Sequence, residues 1–375
     1  MGPNESIEAT TIRKLRIKLL PFLFVLYIVA FLDRINIGFA ALTMNRELAI
    51  TSQQFGLAVG IFFFGYCLLE VPSNLLLYKV GARKWIARIL ISWGIIAAAT
   101  GLVQNAPQLY IMRFLLGLAE AGFFPGILLY LTYWFPQREQ ARAIALFMTA
   151  LPVATILGSS VSGFILDHAN WLNLGGWRWL FILQGSPALV LGIFTFAVLP
   201  NDASEAAFLT ARDRVWLTAK LRGEAEQKNL RLALNAVQTL GHPRVWLLSC
   251  IGFTHAIAGY SFIFWMPQAI RSLSSLYSNT QVGFLVTIPH LAGLLAMVLV
   301  SRSSDHNLER KYHMAVPLVA GGIGFISLST VHTDVAAVGL FALVAVGVYS
   351  WFGPFFASVS AFLTGIAAAS GIALI

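Results

Sequence analysis

Leu19-Leu20-Pro21-Phe22-Leu23-Phe24-Val25-Leu26-Tyr27-Ile28-Val29-Ala30-Phe31-Leu32-Asp33-Arg34-Ile35-Asn36-Ile37-Gly38-Phe39-Ala40-Ala41 is apolar apart from one adjacent acid and base and Asn36. A helix needs about 20 apolar residues to cross ~30 Å of hydrocarbon, and this stretch supplies them. Arg13, Lys14, Arg16 and Lys18 precede it, as they would precede a secretory signal. The stretch is too long for a signal's apolar core, however, and no small-residue cleavage site ends it. It predicts a first membrane span, over 18–41.

Blocks of the same kind recur. Further spans are predicted at 53–77, 84–103, 107–131, 140–165 and 177–199, then at 244–268, 279–300, 313–331 and 335–357. An eleventh starts near Ser360. The chain is 58% hydrophobic and 11% charged, against about 25% charged residues in soluble domains. Short alternating strands of a barrel type are absent, so helices must satisfy the backbone within the bilayer. The predicted fold class is an all-α membrane protein. A net charge of +9 invites a nucleic-acid reading, but no basic run is interleaved with aromatics and no nucleic-acid motif occurs. The two cysteines, Cys67 and Cys250, fall in apolar spans, where small core hydrophobes are expected rather than a disulfide or metal pair.

The Lys and Arg residues instead alternate between loops. With the N-terminus inside, the cytoplasmic segments collect nearly all of them, and only Arg46, Arg178 and Arg271 fall on the opposite side. This asymmetry predicts a cytoplasmic N-terminus, in an inner or plasma membrane. The chain also repeats. Asn74-Leu75-Leu76-Leu77-Tyr78-Lys79-Val80-Gly81-Ala82-Arg83-Lys84-Trp85 and, 227 residues on, Ser301 to Tyr312 are both basic turns between a second and a third span. Two such halves joined by a polar loop form the parallel-repeat plan of many secondary transporters. The predicted organisation is a six-helix half over 1–199, a cytoplasmic central loop over 200–243, and a second, incomplete half over 244–375 that stops within an eleventh helix.

The turn Tyr78-Lys79-Val80-Gly81-Ala82-Arg83-Lys84 resembles the loop motif of the major facilitator superfamily, departing from it at Tyr78, where an acid is usual; Asp305 keeps the acid in the second half. Three further stretches resemble the anion:cation symporters within that superfamily. They are Phe31-Leu32-Asp33-Arg34-Ile35-Asn36, Glu70-Val71-Pro72-Ser73-Asn74, and Arg113-Phe114-Leu115-Leu116-Gly117-Leu118-Ala119-Glu120-Ala121-Gly122-Phe123-Phe124-Pro125-Gly126. The resemblance implies two six-helix halves, alternating access and carriage of a small carboxylate such as a tartrate-like, sugar or aromatic acid. It also implies a longer intact relative, so a truncated, inactive carrier is one expectation.

Five charged residues lie well inside the predicted spans: Asp33, Arg34, Glu70, Arg113 and Glu120. Each costs at least ~2.5 kcal/mol at mid-membrane, so each is expected to face the bundle interior. Arg113 and Glu120 are seven apart, within about 20° on one helix face, with Gly117 between them clearing bulk where a ligand could approach. Arg34 and Arg113 are expected to clamp a substrate carboxylate through paired N–H donors. The plainer reading is that Arg113 only pairs with Glu120 or Asp33. Asp33 and Glu120 are the candidate proton carriers, the alternative being permanent ion pairs. Asn36, Tyr66, Tyr260 and Trp265 are candidate cavity-lining residues. Glu70, Arg83, Lys84, Asp305 and Arg310 are assigned to gating or structure, with Arg142 a candidate partner of Glu70. His255 and His290 are expected to bond neighbouring helices. Gly56 with Gly60, and Gly122 with Gly126, have the spacing of close helix contacts, and Pro125, Pro152 and Pro289 mark kinks.

No zinc-protease motif, nucleophile elbow, P-loop or paired cysteine ligands occur, so an enzyme is not expected, nor any cofactor beyond a coupling ion, taken as a proton. A channel would want an oligomeric selectivity ring, whereas an internal repeat builds a pathway in one chain, expected to act as a monomer. A receptor of transporter fold, an uncoupled carrier and a sugar or drug carrier remain open.

Overall fold

The structure, a computed structural model, describes residues 3–232, 243–331, 333–355 and 358; the predicted eleventh span lies outside them. The described residues form helices and connecting turns, without strands. In chain order the α-helices are α1 (Pro3–Lys18), α2 (Leu20–Glu47), α3 (Ser52–Val80), α4 (Ala82–Thr100), α5 (Ala106–Glu120), α6 (Phe123–Thr132), α7 (Gln137–Met148), α8 (Ala150–His168) and α9 (Gly176–Val198). They continue as α10 (Ala211–Leu232), α11 (Pro243–Leu273), α12 (Asn279–Asn307), α13 (Lys311–Ser327) and α14 (Asp334–Ser350). Nine stretches among the described residues are long and apolar enough to cross a membrane. The predicted third span, now α4, is not one of them, because Arg83, Lys84 and Arg88 crowd its first two turns.

Two compact units result, one of residues 1–154 and 168–226, the other of 155–167 and 227–375. This division differs from boundaries at 199 and 243. Most of helix α10, inside the polar central stretch, belongs to the first unit, which ends at Glu226. Residues 155–167 of α8 pack in the second, where the Gly163 Cα and the Ser159 backbone press against Gly283 of α12. The repeat is written into local chemistry. Helix α3 starts at a capping box in which Thr51 and Gln54 satisfy each other's backbone N–H groups. Helix α12 starts at the same device, built from Ser278 and Gln281, 227 residues later. Such boxes satisfy two otherwise orphaned donors.

The predicted fourth span is broken. Helix α5 ends at Glu120, Gly122 adopts φ +83°, and α6 begins at Phe123. A left-handed backbone costs an L-residue ~1–2 kcal/mol, and a Cβ on Gly122 would also sit 2.5 Å from the Ser73 Cβ. We expect Gly122→Ala to lower the melting temperature in detergent by at least the equivalent of ~1 kcal/mol; an unchanged melting temperature would show that the break is not required. The fifth span divides likewise at Thr149, and Pro125 and Pro152 stand in the first turns that follow the two breaks, where a missing N–H costs nothing. Pro289 lies within a continuous α12.

Three expectations about small residues are corrected. Gly117 does not leave room for a ligand: a Cβ there would overlap the Phe62 carbonyl, so glycine is needed where α5 crosses α3. Gly56 and Gly60 meet nothing within 4 Å among the described residues, whereas Gly122 and Gly126 abut Ser73 and Leu77. Cys67 and Cys250 are free thiols on exposed helix faces rather than core positions.

The N-terminal segment is helical and docked. Thr11 and Lys14 of α1 donate to the Asp213 carboxylate of α10 at 2.8 and 2.5 Å, and Thr210 adds its N–H and hydroxyl. Ile12 and Leu15 share a core with Leu209 and Leu217. Burial alone would raise the Asp213 carboxyl, but Lys14, Thr210 and Thr11 together hold it well below the usual carboxylate range. A depressed native value means the dock is fully stabilised above the unfolded pKa of ~3.9 and weakens as pH falls below it. Protection of α1 from proteolysis should therefore be flat from pH 8 to about 4 and fall below that. Asp213→Asn should lose ~1.5–3 kcal/mol of docking at pH 7 and flatten the acid limb. Equal protection in both proteins would refute the dock.

Candidate functional site

Within the first unit, the charges that looked costly in sequence converge. Asp33, Arg113 and Glu120 are at most 1% exposed and Arg34 is 8% exposed. On α2, the Asp33 carboxylate accepts from Trp93 Nε1 of α4 at 2.7 Å and from Asn36 Nδ2 one turn on at 3.2 Å. Its neighbour Arg34 forms a buried ion pair with Glu120, joining α2 to the last residue of α5. The same guanidinium lies 5.3 Å from the Tyr66 ring and 5.7 Å from the Phe62 ring of α3. Aromatic faces hold a cation this way without neutralising it.

Arg113 is different. Its carbon sits 4.6 Å over Phe62 and its Nε reaches the Ala58 carbonyl at 3.4 Å. Both terminal nitrogens, Nη1 and Nη2, are shielded from solvent and have no hydrogen-bond partner among the described residues. Glu120 and Asp33 act on it only through space. Of the two readings open for Arg113, pairing with Glu120 is not what the geometry shows, because Arg34 has taken that carboxylate. Leaving charged N–H donors buried and unsatisfied costs several kcal/mol. Two such donors side by side can serve a pair of acceptor oxygens.

The remaining candidates scatter. Glu70 is half-buried and its charged neighbour is Arg34; no ion pair joins it to Arg142 among the described residues. Arg83 holds the end of α9 to the start of α4 through the Leu199 carbonyl, Asn201 Oδ1 and Glu205. Lys84 is exposed. In the second unit, Arg310 donates to Ser304 Oγ at 2.9 Å, and the side chain of Asp305 lies outside the described residues. Tyr260 stacks on Phe264. Trp265 lines an apolar groove of about 470 Å³ with Phe262, Phe325 and Phe341. His255 reaches the Val348 carbonyl at 2.8 Å and His290 the Tyr349 hydroxyl at 3.1 Å, each joining its helix to α14.

Sequence reading missed three contributors. Phe62 serves as the platform under both arginines, and Trp93 is the donor that holds Asp33; neither carries a charge to mark it. Arg178 is a hub as well as a loop cation. It bonds Glu47 and the carbonyls of Gly101 and Val103, tying α2 and the α4–α5 turn to the start of α9.

A helical bundle with an internal repeat and a buried charged cluster has the build of a membrane carrier, and comparison with known proteins makes it a transporter of small organic molecules rather than an enzyme. The chain belongs to the Major Facilitator Superfamily, which it matches over residues 23–375. It is 42% identical over 375 residues to a protein of Agrobacterium vitis named as a tartrate transporter, with 99% of this chain and 85% of that one covered. A protein of Acinetobacter baumannii named as a quinolone resistance transporter is 38% identical over 98% of this chain and 85% of its own. The crystal structure of a bacterial homologue of the human lysosomal transporter Spinster, inward-facing and unoccupied, superimposes with TM-score 0.77 at 17% identity, over 96% of this chain and 78% of that one.

Proposed function

We propose that this protein carries a small organic carboxylate together with protons, by alternating access, as a monomer in a bacterial-type inner membrane with its N-terminus cytoplasmic. The supporting observation is the orphaned pair of Arg113 N–H groups beside two buried acids. A carboxylate seated there accepts two charge-assisted hydrogen bonds in the fork geometry that guanidinium suits. With Arg34, Arg113, Asp33 and Glu120 all ionised, the buried cluster is formally neutral. An arriving anion makes it negative, and a proton taken up by Glu120 or Asp33 restores neutrality, which low dielectric strongly favours. Anion and proton therefore travel together. The positive-inside distribution supports the orientation, and the relative named for tartrate supports a carboxylate.

A second reading, export of a drug-like solute, rests on the relative named for quinolone resistance. Uptake of radiolabelled organic acids into proteoliposomes, with and without an inward proton gradient, separates the two. Saturable, gradient-stimulated uptake of one acid establishes the symporter. Gradient-driven efflux of a fluoroquinolone with no acid uptake establishes the exporter.

A further inference from the structure

Arg88 stands six residues inside α4, about 9 Å along the helix axis. Its guanidinium carbon lies 4.0 Å from the centre of the Trp85 ring, and that indole is fixed by donation from Nε1 to Ser73 Oγ at 2.9 Å. Nε of Arg88 is shielded from solvent without an acceptor. Arg83, one turn earlier, has Glu205, whereas no carboxylate pairs with Arg88 among the described residues. Lys84, one turn before Arg88 on the same stripe, is exposed, and Ile95, two turns beyond, is 55% exposed. The stripe therefore turns outward, apolar at one end and doubly cationic at the end where α4 begins.

We propose that Arg88 and Lys84, with Trp85 as a rigid platform, form a binding site for the headgroup phosphate of an anionic phospholipid, in the leaflet bordering the start of α4. A cation within a membrane helix that has no protein counter-charge needs one from elsewhere. At this depth the groups on offer are lipid phosphates, and an acyl chain would run along the Ile95 side. An anionic headgroup matches two cations better than a zwitterionic one, which brings its own positive charge. This assignment depends on membrane insertion, and it stands whether the cargo is an acid or a drug.

Native mass spectrometry of the protein released from bilayers of equal phosphatidylglycerol and phosphatidylcholine tests it. The wild type is expected to retain phosphatidylglycerol preferentially, and Arg88→Gln to lower that preference about fivefold, the effect of one basic residue near the surface. Arg88→Lys should keep most of it. Lys84→Gln, at an exposed position with little bearing on folding, should lower it several-fold, so the test survives if Arg88→Gln does not fold. An unaltered preference in Lys84→Gln and in any folded Arg88→Gln overturns the proposal. So does release of the lipid by excess inorganic phosphate, which would mark a free-anion site.

Discussion

Replacing Arg113 with glutamine is expected to abolish binding and uptake of the organic anion while leaving the folded protein at least as stable as the wild type. Two charge-assisted hydrogen bonds are lost, each ~1.5–3 kcal/mol, which together reduce affinity by roughly two to four powers of ten. The stability half follows from the unsatisfied Nη groups. Nη1 and Nη2 bond to nothing among the described residues, and the Nε contact with Ala58 is long at 3.4 Å, so little is broken by removing them. Exchanging a buried, unsatisfied cation for a neutral side chain removes its desolvation cost, and a proton on Asp33 or Glu120 keeps the cluster neutral. Arg113→Lys keeps the charge but loses the planar fork and should fall between, about tenfold down. Equilibrium binding and thermal unfolding on the same preparations decide it. Full affinity in Arg113→Gln removes the residue from the substrate site. Lost affinity with a large fall in melting temperature returns it to a structural role.

Glutamine at Glu120 is expected to separate transport from coupling. It is nearly isosteric and still offers a carbonyl to Arg34, but it cannot carry a proton. Gradient-driven accumulation should disappear, while counterflow, which needs only binding and the conformational cycle, should persist. The variant should also be less stable than Arg113→Gln. Arg34 loses its ionised partner inside the protein, and breaking one side of a buried pair costs up to ~3–5 kcal/mol. Asp33→Asn makes the comparison informative, because Asp33 is held by the neutral donors Trp93 and Asn36 rather than by a paired arginine. Accumulation lost in Asp33→Asn but kept in Glu120→Gln would move the coupling proton to Asp33. Accumulation kept in both would sink proton coupling through this cluster.

Much of this is legible in the amino-acid sequence. Runs of about 20 apolar residues locate spans because hydrocarbon thickness sets helix length. The price of an intramembrane charge marked Asp33, Arg34, Arg113 and Glu120 as interior residues, and all four are buried together. Legibility failed where the chain's path depends on contacts rather than on hydropathy. The break after Glu120 is invisible to an apolar average, since Ala121-Gly122-Phe123 reads as continuous helix; it is imposed where Gly122 meets Ser73. Gly117 looked like space for a ligand and proved to be a helix crossing, because an absent Cβ says only that something comes close.

Sequence alone therefore determined the class of the molecule, its helical repeat and the identity of the charged residues, since each follows from the cost of moving polar groups out of water, a cost that attaches to residue type. Which acid pairs with which arginine was decided only by the tertiary structure. Arg34 and Arg113 carry the same charge and have similar reach, so Glu120 could have bonded either one. The packing of α2, α3 and α5 around Phe62 brings Glu120 to Arg34 and leaves the Nη donors of Arg113 open, because the energy of an ion pair depends on a few ångströms of geometry that composition and spacing do not specify.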